Sequence, residues 1–265
     1  MVSPVLKWAG GKRWLVGHDL LPTPKTYRRY VEPFLGSGAI FFHLSPVRAL
    51  LSDINNELIG LYQILRDYPD ELWAIMQRHH LAHSKEYYYK IRASKPKDPL
   101  VAAGRFLYLN RTCWNGLYRV NLKGEFNVPI GTKSSVIFGN DNFEAVSARL
   151  ANAEIRCSDF EDVIAECGKD DFVFVDPPYT VQHNFNNFLK YNEKIFSWDD
   201  QIRLHQAVKK AAQRGAFVVV TNADHTTVRE LYSGFGKYVQ LDRQSVLAGD
   251  ATKRGGTTEA LFVSM

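Results

Sequence analysis

Phe172-Val-Phe-Val175 is an unbroken apolar run that ends in Asp176-Pro-Pro-Tyr179. A buried strand that stops at a carboxylate, two prolines and an aromatic ring makes a corner rich in hydrogen-bond acceptors. Proline has no backbone N–H and a fixed φ, so Pro177 and Pro178 stiffen the turn and present carbonyls without a competing donor. Such a corner suits a flat ring carrying an exocyclic amine. Asp176 and the Pro177 carbonyl can accept its two N–H bonds while Tyr179 stacks on the ring. The bland alternative is an ordinary Pro-Pro turn closing a strand.

Three further stretches bear on ligand binding. Val31-Glu32-Pro-Phe34-Leu-Gly36-Ser-Gly38 has two glycines that let backbone approach a ligand beside a helix N-terminus. A nucleotide-type cofactor fits there, but Phe41 stands where the dinucleotide fingerprint needs Gly or Ala, which disfavours a nicotinamide or flavin site. Asp53 ends the next strand, placed either to bind the two hydroxyls of a ribose or to cap the helix that follows. In Lys7-Trp8-Ala-Gly-Gly-Lys12, Lys7 replaces the first glycine of a phosphate loop and Arg13 its Ser/Thr, so that reading fails and a surface turn is the alternative. Cys113, Cys157 and Cys167 fit neither a disulfide framework nor a metal site and read as buried free thiols. The eight histidines are scattered without metal or nucleophile spacing, so no metal is indicated.

The net charge of +5 is unevenly placed. Residues 66–133 hold 12 Lys and Arg against 6 Asp and Glu, leaving 21 against 22 for the rest of the chain. Tyr87, Tyr88, Tyr89, Tyr108, Trp114 and Tyr118 lie in the same segment, a mixture able to meet phosphates and base faces. A solvated basic face over an aromatic core would read alike. Within it, Asn110 to Asn121 and Gly124 to Pro129 place donors and apolar groups on one loop. Arg119 can offer two parallel donors to guanine, and Leu117 and Pro129 can touch a thymine methyl.

These residues need a scaffold, and 265 residues allow one large α/β domain or one domain with an insertion. Hydrophobic residues at 45% and charged residues at 23% exclude a disordered or collagen-like chain. Short strands are predicted at 29–32 and 48–52, followed by helices at 39–44 and 55–66. Residues 69–109 read as helical with a break at Pro96 and Pro99, and 110–133 as a long loop or hairpin. Strands return at 154–157, 172–175, 216–221, 239–246 and 259–263. Ser197-Trp-Asp-Asp200 opens a helix to about Gln213 through a capping box. A long loop is expected over 180–196. No apolar run approaches the roughly 20 residues of a membrane span. Lys7, Lys12 and Arg13 also break any signal core, so a cytoplasmic protein is expected.

The order of these motifs, more than any one of them, resembles the DNA adenine-N6 methyltransferases of the D12 class, in particular the Dam-like group. The match runs from Lys7-Trp-Ala-Gly-Gly-Lys12 through Glu32-Pro-Phe-x-Gly-x-Gly38, Asp53-Ile-Asn55 and Asn115-Gly-Leu-Tyr-Arg119 to Asp176-Pro-Pro-Tyr179, nearly the whole chain. The resemblance implies an α/β fold with a mostly parallel, doubly wound sheet, the class I S-adenosylmethionine-dependent methyltransferase fold. It assigns residues 1–60 and 140–265 to the catalytic domain and 61–139 to an inserted, mainly helical target-recognition domain.

It also implies S-adenosylmethionine as methyl donor, held by Trp8, Lys12, Glu32, Phe34, Gly36, Asp53, Asp159, Phe160 and Asp176. Asp176, Pro177 and Tyr179 are the implied catalytic residues, and Lys7, Trp114, Asn115, Leu117, Arg119 and Pro129 the implied DNA contacts. The implied substrate is a flipped adenine in duplex DNA, with GATC as the first expectation for its site; a cognate restriction endonuclease as companion and solitary action are the two alternatives left open. Thr112-Cys-Trp114 departs from the Gly and Tyr often found before Asn115 in Dam enzymes, which bears on the outer base pair. An RNA base-amine methyltransferase would share the acceptor-rich corner and is the alternative. A silent DNA-binding module is disfavoured by the intact Asp176 to Tyr179.

Overall fold

The computed structural model describes residues 2–18, 20–116, 118–121, 124–133, 135–181, 196–244 and 256–264. Leu117, and residues 182–195 of the expected loop, lie outside them. In chain order the elements are α1 (Arg13–Gly17), β1 (Arg29–Glu32), α2 (Ala39–Leu44), β2 (Ala49–Asp53), α3 (Asn56–Asp67), α4 (Pro69–Ala82), α5 (Lys85–Ala93), α6 (Pro99–Thr112) and α7 (Phe143–Leu150). They continue with β3 (Ala153–Cys157), α8 (Phe160–Ala165), β4 (Asp171–Val175), α9 (Trp198–Gln213), β5 (Phe217–Ala223), α10 (Thr226–Leu231), β6 (Gly236–Gln244) and β7 (Gly256–Ser264). The chain forms two compact units, Met1–Leu21 with Leu35–Cys157, and Pro22–Phe34 with Ser158–Met265.

In the first unit β2 and β3 run parallel, with Asp53 opposite Cys157. Asn55 starts α3 by accepting the Leu58 N–H, and Leu58, Ile59, Leu61, Tyr62 and Leu65 are buried. Asp98 caps α6, with Pro99 in its first turn, and residues Ala103 to Thr112 are all buried. A helix buried on every side is a core helix, and α6 carries Arg111 within it. That guanidinium donates to the Val5 and Val136 carbonyls and to both oxygens of Asp141. After α6 the chain turns back on itself through antiparallel bridges Cys113↔Ile130 and Val120↔Phe126; this is the hairpin-like loop expected over 110–133, except that residues 110–112 still belong to α6.

In the second unit β1 runs parallel to β4 and β4 parallel to β5, while β7 is antiparallel to both β5 and β6. Counting β2/β3 of the first unit, three of these five pairings are parallel, in an α/β arrangement. Every residue of β4 is buried, as a strand covered on both faces requires. Helix α9 opens with the expected capping box: Ser197 Oγ accepts the Asp200 N–H at 3.1 Å, and Asp200 accepts the Ser197 N–H at 2.9 Å. One expectation needs correction. Cys113 and Cys167 are buried thiols, but Cys157 is exposed: it lies on the same face as the buried Ala153 and Ile155, yet it is the terminal residue of β3.

Candidate functional site

In the second unit the site begins where β4 ends. Asp176 is half-buried, and its Oδ1 accepts the Thr221 hydroxyl of β5 at 2.7 Å. Pro177 is buried. The Tyr179 phenol donates to Glu259 Oε2 at 2.7 Å, and burial, then the Asp176 and Glu259 charges, hold its pKa well above the ordinary value. Tyr179 is thus a neutral donor with its ring held at the far end. Just beyond, Thr180 Oγ1 donates to the Phe196 carbonyl at 2.6 Å.

The same unit gathers three aromatic rings. Phe34 lies 5.4 Å from Phe160, nearly parallel at 24°, and 5.7 Å edge-on from Phe196. Asp159 caps α8 through the Glu161 N–H, and Arg203 binds Asp159, Glu161 and Asp200 while lying over the Phe160 ring. Glu32 is buried and accepts the Tyr30 hydroxyl at 2.9 Å.

In the first unit, Asp53 accepts the Gly36 N–H at 3.1 Å and the Asn55 N–H at 3.0 Å. Burial raises its carboxyl pKa, opposed by those N–H donors and that of Ile54. The cap of α3 is Asn55, so Asp53 is left to order the loop at Gly36. Gly36 has φ +48°, and a Cβ there would come within 2.7 Å of the Trp8 ring, so only glycine fits between indole and loop. Trp8 in turn stacks on Tyr118 at 6.0 Å and 17°. Lys12 is only 3% exposed and its ammonium donates to the Gly10 carbonyl, so the Lys7–Lys12 stretch is not a simple surface turn.

The hairpin-like loop presents Trp114, Asn115, Arg119 and Pro129 on its exposed side, with Trp114 50% exposed. It is fixed from beneath: Trp114 N–H donates to the Pro129 carbonyl, the Tyr88 hydroxyl to the Val128 carbonyl, and the Tyr118 hydroxyl to Glu57. Asn115 takes a left-handed φ of +56°. Lys7 is joined to the last turn of α6 through Asn110, which accepts its N–H at 2.9 Å and donates to its carbonyl at 2.7 Å. Among the described residues no group of three or more His, Cys, Asp or Glu could hold a metal ion, and no helix is long and apolar enough to cross a membrane.

Residues 8–246 match the family described as D12 class N6 adenine-specific DNA methyltransferase. The chain belongs to this family. Its relatives include the type II methyltransferase M1.LlaDCHI of Lactococcus lactis subsp. cremoris, 36% identical over 99% of this chain and 95% of the relative. The type II methyltransferase M.MjaIII of Methanocaldococcus jannaschii is 37% identical over 96% of each chain. The DNA adenine methylase of Escherichia coli strain K12 is 33% identical over 94% of this chain and 91% of the relative. The protein is thus an adenine-specific DNA methyltransferase, and DNA is its substrate.

Within this D12 methyltransferase the second unit contains Glu32, Phe34, Asp159, Phe160, Asp176, Pro177 and Tyr179, and places Phe34 against Phe160. The first holds Lys7, Trp8, Lys12, Gly36, Asp53, Trp114, Asn115, Arg119 and Pro129. Sequence reasoning passed over Thr221, Glu259 and Phe196. The first two had a signal: a polar residue at the carboxyl end of the apolar run Phe217–Val220, and a charge opening the run Ala260–Val263. Phe196 had none, because its partners Phe34 and Phe160 are remote in sequence.

Proposed function

We propose that this enzyme methylates N6 of an adenine extruded from duplex DNA, with S-adenosylmethionine as donor and GATC as the first sequence to test. The observation that carries the proposal is the acceptor corner: Asp176 oriented by Thr221 and followed by a tyrosine whose hydroxyl is tethered to Glu259. An adenine amine is a poor nucleophile because its lone pair is delocalised into the ring. Asp176 and the Pro177 carbonyl, accepting both N–H bonds, would favour an amine whose lone pair is localised on nitrogen, and Tyr179 would stack on the base. Positioning in a preorganised polar corner does the work. Extrusion costs a few kcal/mol, offset by stacking and by contacts of the basic segment.

The donor's chemistry fits the side chains available. A carboxylate at Asp53 suits ribose hydroxyls, and the rings of Phe34, Phe160 and Phe196 suit an adenine face. Asp159 directly precedes Phe160 and caps α8. Trp8, Lys12, Glu32, Gly36 and Asp176 complete the proposed set. When bound, the donor supplies an electrophilic methyl group on a sulfonium.

Residues 61–139 are the proposed target-recognition domain and residues 1–60 with 140–265 the catalytic one. Lys7, Trp114, Asn115, Leu117, Arg119 and Pro129 are the proposed DNA contacts. The names of the two type II relatives support a restriction endonuclease of the same specificity as a companion. The test is transfer of labelled methyl groups to duplex DNA or to RNA. Asp176→Ala should bind duplex DNA as the parent does and transfer no label. Parental transfer by that variant, or labelling of RNA in preference to DNA, would refute the reading.

A further inference from the structure

Glu259 is a buried carboxylate, 4% exposed, in a strand whose following residues Ala260, Leu261, Phe262 and Val263 are all buried and apolar. Burying a carboxylate costs several kcal/mol unless it is hydrogen-bonded, and such a group seldom adds stability over an apolar one. Its position in the sheet gives it a use. Thr221 pairs with Leu261 and Ala223 with Glu259 in the antiparallel β5/β7 register. Residues directly opposite share a face, as do residues two apart along one strand. Thr221 and Glu259 therefore project from the same face as diagonal neighbours.

From that face they reach the two ends of one turn. Thr221 donates to Asp176, the first residue of Asp-Pro-Pro-Tyr, and Glu259 accepts from Tyr179, the last, both at 2.7 Å. The two prolines between cannot donate backbone hydrogen bonds, so they bring no N–H of their own to hold the turn. On the other face of β5, the Asn222 side chain exchanges hydrogen bonds with buried Gln201 of α9 and accepts the Ala223 N–H, which stiffens the strand end that carries Thr221.

We propose that Glu259 is a positioning residue for methyl transfer, which with Thr221 clamps the acceptor turn so that the Tyr179 ring is fixed where it caps the target adenine. Glu259 works as a hydrogen-bond acceptor and touches neither base nor donor. The raised phenol pKa agrees, since it keeps Tyr179 protonated and donating. The inference rests on the reading of Asp176 and Tyr179 given above.

The test uses the full-length protein with duplex DNA in which 2-aminopurine replaces the target adenine, beside turnover on unmodified duplex. Glu259→Ala should lower kcat about 10- to 100-fold, the cost of a mispositioned group, with duplex and donor affinities within about twofold of the parent. The emission of the extruded 2-aminopurine should rise, because a loose ring quenches it less. Glu259→Gln keeps an acceptor oxygen and should restore kcat to within about threefold of the parent.

Three results would overturn the proposal: parental kcat and emission in Glu259→Ala, a Glu259→Gln as impaired as Glu259→Ala, or an unaltered emission despite lost turnover. Should Glu259→Ala fail to fold, Tyr179→Phe serves in its place. It should lose kcat similarly, and adding Glu259→Gln to it should cost nothing more; an additive loss counts against the clamp. If the parent itself transfers no methyl to DNA, the functional reading fails. If the parent is active, Asp176→Ala is dead and Glu259→Ala is normal, only this inference fails.

Discussion

Lys7 is held by its own backbone to Asn110 and packs its side chain against Gly116, where a Cβ would come within 2.7 Å of the lysine Cδ. A hydrogen bond with Lys133, partial burial and the Lys133 charge lower its pKa from 10.5 to about 8. As a proposed DNA contact Lys7 must be protonated, so duplex affinity should fall as pH rises through about 8, measurable by anisotropy at fixed salt. The sign for folding is opposite. Between about 8 and 10.5 the unfolded chain holds a proton that the folded one has lost, so this residue's contribution to stability grows with pH across that window. Lys133→Ala removes the neighbour that depresses Lys7 and should move the fall in affinity to higher pH; an unmoved profile would show that the pair is not coupled. Lys7 was legible from its motif. Lys133 was not, because only the folding of the hairpin-like loop brings it near; likewise Phe196 meets Phe34 only once the second unit has folded.

Helices and strands were more legible than the contacts between them, because caps and apolar runs are local. The run Phe172–Val175 announced β4, and Ser197 with Asp200 announced the start of α9. Asp53 was ambiguous because a strand-ending acid can serve a ligand or a helix; Asn55 takes the capping role. The capping box of α9 has consequences beyond the helix. Phe196 immediately precedes it, and Asp200 also binds Arg203, which holds Asp159. Ser197→Ala should therefore cost about 1 kcal/mol in a urea unfolding curve. It should also raise KM for the methyl donor more than it lowers kcat, because the cap abuts Phe196 of the Phe34, Phe160 and Phe196 rings, while the Asp176 corner is reached less directly, through the Thr180 hydroxyl on the Phe196 carbonyl. A variant with parental KM and lowered stability would separate the cap from the proposed donor pocket.

Taken over the whole molecule, the charge excess of residues 66–133 overstates the charge offered to DNA. Arg111 is buried against Asp141, and Arg66, Lys95 and Arg105 pair with Asp67, Glu125 and Glu57. If all 12 cations of the segment neutralised phosphates, log K would fall with log salt at a slope of about −11. With several committed to the fold, neutralisation of about five phosphates and a slope of roughly −4 to −5 are expected. Titration of duplex binding against potassium chloride decides between them. Arg111→Gln should leave the slope unchanged and lower the melting temperature, because it takes the guanidinium from Asp141 and from the Val5 and Val136 carbonyls. A slope near −11, or one that falls by about one unit in Arg111→Gln, would mean that binding releases the buried arginine from its internal partners.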